Sequence, residues 1–152
     1  MFSALLRRLY NTIVGSDSIV YKIYPAVGAA DPLTAGIKVT AGAKKWGTYV
    51  DIVAVSGITT EFWVCALLLH NAEAIQSYDI DLATGLVGAP VSFFQTLYAR
   101  VEVTAVGEHG VTTQVTNLPY PKRLAANTEV CCGAGATAAK YIYAAILYAT
   151  GL

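Results

Sequence analysis

The sequence predicts an all-β chain, a β-sandwich of jelly-roll type with about eight strands. Three observations carry that prediction. Residues 46–85, WGTYVDIVAVSGITTEFWVCALLLHNAEAIQSYDIDLATG, read as three successive strands and two turns, and hold much of the densest apolar sequence. Further β-branched and alternating runs follow between Gly, Pro and Asn punctuation. The last run, residues 138–150, is alanine-rich enough to suit a helix. Tyr141, Ile142, Tyr143, Ile146 and Tyr148 nevertheless fit a strand buried on both faces, and a final strand closes a sheet. Two packed sheets are the simplest architecture for such a series.

Taken in order, residues 1–15 carry a helical stripe of Phe2, Leu5, Leu6, Leu9 and Ile13, with Arg7, Arg8 and Asn11 tending away from it. Gly15 stops it. Such a stripe has three readings: a cap on the chain's own core, a membrane-surface helix, or a dock on another subunit. Two basic residues are few for the membrane reading. Residues 18–24, SIVYKIY, alternate as a strand ended by Pro25. Residues 26–45 turn to small residues, with Gly28, Pro32, Gly36 and Gly42, and read as an extended arm or a loop with a short strand at 36–40. Residues 1–45 therefore form a candidate N-terminal arm, and residues 46–152 the sandwich body.

In the body, residues 48–55 alternate loosely, residues 61–70 are almost continuously apolar, and residues 74–82 oppose Ile80 and Leu82 to Asp79 and Asp81. Residues 90–105 make one long strand or a bent pair, Gly107-Glu108-His109-Gly110 a turn, and residues 111–116 a β-branched strand. In residues 117–122, NLPYPK, Pro119 and Pro121 cannot donate to a ladder, which marks an edge. A strand resumes over residues 123–132, and residues 133–136 read as a flexible turn.

Composition narrows the function classes. Hydrophobic residues make up 55% and charged residues 13%, with ten basic and ten acidic side chains. Soluble domains ordinarily carry about 25% charged residues. Zero net charge argues against nucleic-acid binding, which draws on a basic surface. A chain so weakly charged is poorly protected against association, and suits packing against copies of itself or a larger partner. Cys65, Cys131 and Cys132 make no disulfide framework; packed, reduced thiols are the expectation. No apolar run approaches the ~20 residues that span a bilayer, and the N-terminus gives no persuasive secretory signal.

Chemistry is sparse. Cys65 and His70 are five residues apart in one strand, which sets them on opposite faces and against a dyad. His109 reads as a solvated turn residue, Asp79 and Asp81 as a solvent-facing row, and Trp63 as core. No CxxC pair, phosphate loop, GxSxG or HExxH is present. The expectation is a non-enzyme with no catalytic residue, metal or cofactor. Trp46 and Tyr120 are candidates for stacking on sugars.

The segment PYPKRLAANTEV, with WGTYVDIVAVSGITTEFWVCALLL and SYDIDLATGLVGAPV before it, resembles a loose group of small β-sandwich virion proteins of tailed bacteriophages. The resemblance covers residues 46 to the end. It implies a structural virion role, that of a capsid cement or decoration subunit assembled in the host cytoplasm. Its partners would be the major capsid protein or other virion proteins and further copies of itself, as dimer or trimer, without nucleic acid or membrane. The arm residues Phe2, Leu5, Leu6, Arg7, Arg8, Leu9 and Ile13 would make the shell contact. The alternative is a receptor- or glycan-binding module of a fibre or tail.

Overall fold

The computed structural model describes residues 4, 19–25, 36–85, 88–99 and 114–151. Among them ten strands form two sheets: β1 (Val20–Tyr24), β2 (Ile37–Thr40), β3 (Gly42–Ala43), β4 (Val50–Val53), β5 (Phe62–His70), β6 (Ser77–Thr84), β7 (Val91–Ala99), β8 (Gln114–Leu124), β9 (Val130–Ala136) and β10 (Tyr141–Thr150). The first sheet runs β1-β10-β5-β8, with β2 also on β10; the second runs β3-β9-β6-β7, with β4 also on β9.

β1 and β2 lie end to end along one edge of β10, from Val20 opposite Thr150 to Thr40 opposite Tyr141. β3 and β4 share an edge of β9 in the same way. Counting each pair as one position leaves eight, four to a sheet, in the interleaved order of a jelly roll. The chain is an all-β sandwich, as its alternation predicts. The final run is strand β10, with Ile142, Ala144 and Ile146 in the core and Ala145 and Leu147 on the apolar outer face, so its apolar residues show no single face.

The core fills the space between the sheets. Phe62, Leu67 and Leu69 of β5, Ile142 and Ile146 of β10, and Tyr78, Ile80 and Leu82 of β6 are fully buried. Burial of each such side chain is worth about 1.5–3 kcal/mol. Tyr98 of β7 packs beside Tyr78, ring centroids 6.2 Å apart.

Several expectations change. Within residues 1–45 the strands β1, β2 and β3 pair with β10 and β9 inside the sandwich. The stripe Phe2, Leu5, Leu6, Leu9 and Ile13, with Arg7 and Arg8, lies outside the described residues, as do residues 26–35 and the 107–110 turn with His109. Residues 133–136 are no turn but the buried end of β9, between β6 and the β3 edge. The loose alternation of residues 48–55 shrinks to β4, where a bulge at Ile52 lets both Ile52 and Val53 face the core. Trp63 is not core: it lies half-buried on the outer face of the first sheet, with the Arg123 guanidinium 5.8 Å from its ring.

Residues 117–122 do lie in an edge strand. Between the Val64–Lys122 and Ala66–Asn117 pairs, Cys65 faces four residues of β8, Leu118 to Pro121. Both prolines fall inside that wide bulge, where no ladder bond is asked of them. Leu118 turns inward, and Tyr120 stands out at 85% exposure.

Candidate functional site

Alternation in β9 sends Val130, Cys132 and Ala134 into the core, and Cys131, Gly133 and Gly135 to the outer face of the second sheet. The two glycines leave two gaps in that face, and β6 places an aspartate beside each: Asp81 opposite Gly133, Asp79 opposite Gly135.

The first gap is filled from within. The Tyr49 ring lies over Gly133 so closely that a Cβ there would sit 2.7 Å from Cζ. The Tyr49 hydroxyl donates to Asp81 Oδ2, and the Ser92 hydroxyl donates to Oδ1. A bulge at Phe93 turns Ser92 onto this face. Asp81 is therefore 3% exposed rather than solvent-facing, yet both of its oxygens are satisfied. Burial, then the hydrogen bond to Asp81 and its charge, hold the Tyr49 hydroxyl far above the ordinary phenol range.

The second gap is covered by main chain: a Cβ at Gly135 would sit 3.1 Å from Lys45 O. Trp46 is bridged to Gly135 in an antiparallel pair, its ring edge 3.8 Å from where a Gly135 Cβ would stand. A cleft of about 420 Å³ beside it is lined by Trp46, Asp79, Gly135 and Ala136. Lys44, Lys45, Ser77 and Thr137 complete the lining. The Lys44 amide donates to Ala136 O at 2.7 Å and the Gly47 amide to Ala134 O at 2.8 Å, which ties the Trp46 loop to β9. Trp46 remains 42% exposed.

A third acidic group adjoins. Asp51 lies opposite Cys131, and Glu129 precedes β9. A hydrogen bond to Asp51 raises the Glu129 carboxyl above the ordinary range, with burial and the Asp51 charge adding. Burial, and then the charges of Asp51, Glu129 and Asp81, push the Cys131 thiol up to about 11. Asp51 Oδ1 is buried without a hydrogen bond among the described residues. No group of three or more His, Cys, Asp or Glu among them is arranged to hold a metal ion.

The outer face of the first sheet is different in kind. Register sets Tyr21, Ala149 and Trp63 in one row, Ile23, Leu147 and Ala66 in the next, and Ala145, Leu68 and Val115 in a third. Tyr21 is 61% exposed and Val115 56%. Ile23, Leu68, Leu147 and Trp63 are half-buried, with the alanines sunk between them. His70 closes this face, stacked on Tyr143 at 5.8 Å. Cys65 sits at the β8 bulge, its thiol 3.5 Å from Trp63 O.

The two candidate sugar-stacking residues belong to different sheets: Trp46 lines the cleft, while Tyr120 rides the β8 bulge and does not line it. Sequence reasoning missed Tyr49, Asp81 and Ser92 as one unit. A signal was present, in the alternate glycines of β9 and the alternate aspartates of β6, although their register was not.

No family model and no curated protein matches the chain. Among solved structures, a chain of the infectious bursal disease virus VP2 subviral particle is similar over 90% of this chain and 34% of its own, at 11% identity and a TM-score of 0.40. A chain from the infectious bursal disease virus Gx strain is similar over 88% and 32%, at 8% identity and a TM-score of 0.38. The chain thus spans about a third of the length of either neighbour.

Proposed function

We propose that the protein is a non-enzymatic structural component of a virus particle, a cement or decoration subunit that binds the shell through its N-terminal segment. One observation carries the reading: the apolar outer face of the first sheet, centred on Tyr21, Ile23, Leu68, Leu147 and Val115. A sandwich working alone ordinarily turns polar residues to solvent on its outer faces. An extended apolar patch marks a surface that is covered in use. The low charge and the stripe of Phe2, Leu5, Leu6, Leu9 and Ile13 point the same way. Further along the chain, β1 carries Tyr21 and Ile23 at the edge of the patch.

Deletion of residues 1–15 tests the reading. The truncated chain is expected to fold, with an unchanged β-sheet circular dichroism spectrum, and to lose co-sedimentation with particles. Full retention on particles would overturn the assigned role of the segment.

A further inference from the structure

We infer that the cleft lined by Trp46 and Asp79 binds a neutral saccharide, taking one pyranose ring against the indole. The inference goes beyond the assembly reading above and does not depend on it. What carries it is the way Trp46 is held. The loop from Gly42 to Gly47 is closed on itself: a Cβ at Gly42 would strike Lys45 O, and one at Gly47 would strike Thr40 O. The Lys44 and Gly47 amides bond to β9, and Trp46 is bridged to Gly135 between them. An indole anchored on both sides along the chain is nevertheless 42% exposed. Its apolar surface is unspent, and a ligand that stacks on it finds the platform already in place.

The rest of the lining names the ligand class. Beside the indole stand Gly135 and Ala136, which have little side chain, and five polar residues, Lys44, Lys45, Ser77, Asp79 and Thr137. Asp79 offers an acceptor, the lysines offer donors, and the two hydroxyls offer both. A purely apolar ligand would leave such groups without partners. An anion would be opposed by Asp79, and a cation by two lysines. A ring of hydroxyl groups, each donor and acceptor at once, can use all of them. A pyranose also has an apolar C–H face to lay on the indole. At about 420 Å³ the cleft falls within the range of roughly 300–1,000 Å³ usual for small-molecule sites.

Its position suits display. Asp79 and Gly135 lie on the outer face of the second sheet, and the apolar patch on the outer face of the first. These are opposite sides of a sandwich. A copy seated on a shell through its apolar face would turn the cleft outward, to the medium.

The full chain is tested on an array of neutral gluco-, galacto-, manno- and N-acetylglucosamine oligosaccharides, and a captured oligosaccharide is then titrated by calorimetry. Capture of at least one series is expected. Trp46→Ala should weaken its binding at least about tenfold, because the stacking surface is gone. Asp79→Asn should weaken it about fivefold, the worth of one hydrogen bond. Trp63→Phe should leave it unchanged, since Trp63 lies on the other sheet's outer face. Circular dichroism checks folding; Asp79 is exposed, so Asp79→Asn carries the test where Trp46→Ala does not fold. An empty array, or affinity undiminished in either folded variant, would overturn the site. Binding of single-stranded oligothymidylate through Trp46, in place of any saccharide, would overturn it in favour of a nucleic-acid contact. Each of these results leaves co-sedimentation with particles, and with it the assembly reading, where it stood.

Discussion

Tyr49 and Asp81 depend on each other. Asp81 carries a carboxyl group on a nearly closed surface, and hydroxyl donors from Tyr49 and Ser92 satisfy it. Tyr49→Phe keeps the ring over Gly133 and removes one donor. It should cost about 1–3 kcal/mol, the penalty for an under-satisfied buried polar group, read as a lower urea midpoint at unchanged slope. The pair also shows what the sequence hides at this scale. Gly-Ala-Gly-Ala looks like a turn because small residues punctuate loops. In β9 they are small because the Tyr49 ring and the Lys45–Trp46 segment lie on them. Smallness records a close neighbour as readily as a bend, and only the register tells which.

Among the elements, two glutamates beside strand starts titrate in opposite senses. Between β5 and β6, Glu73 accepts from the Tyr141 amide at the start of β10 at 3.2 Å and from Lys140 at 3.3 Å, and these bonds lower its pKa below the ordinary 4.5. Its contribution is present above that value and fades as pH falls through the lowered one. Before β9, Glu129 is raised above 4.5 by its bond to Asp51. There the native state holds more protons than the unfolded chain between 4.5 and the raised value, so stability falls as pH climbs through that window. Glu129→Gln should remove the fall and leave stability at neutral pH equal to wild type or higher. Urea midpoints taken between about pH 4 and pH 8 check it. Strand existence was legible for β5, β6 and β10, which lie where apolar runs place them, but not for β3 or the 133–136 half of β9, whose small residues read as loop and turn. Strand faces were less so, because bulges at Ile52, Phe93 and the β8 prolines each shift the alternation.

For the whole molecule, the contrast lies between a mixed, acidic outer face on one sheet and an apolar one on the other. Val115 is exposed in the apolar face and makes no core contact. Val115→Glu should therefore leave the melting temperature nearly unchanged, within the range of about 0.5 kcal/mol common to surface changes. It should weaken co-sedimentation with particles, because a charge must then be buried at the contact. Raised salt should not dissolve an association built on this face, since screening acts on charges. The weak charge of the sequence raised the expectation of a covered surface. Which surface it was could not be read from a line of residues, because the patch is assembled from β1, β10, β5 and β8, which are far apart along the chain.

The split first strand position bears on engineering. β10 runs unbroken beside both β1 and β2, so the sheet fixes Tyr24 and Ile37 independently of the chain length that joins them. Lengthening such a connection costs little, about 0.6 kcal/mol per doubling. A foreign peptide spliced in between residues 25 and 36 should thus be carried by a fully folded sandwich, seen as an unaltered melting profile together with antibody capture of the guest epitope. On a repetitive shell, the same graft would present that epitope at the spacing of the lattice.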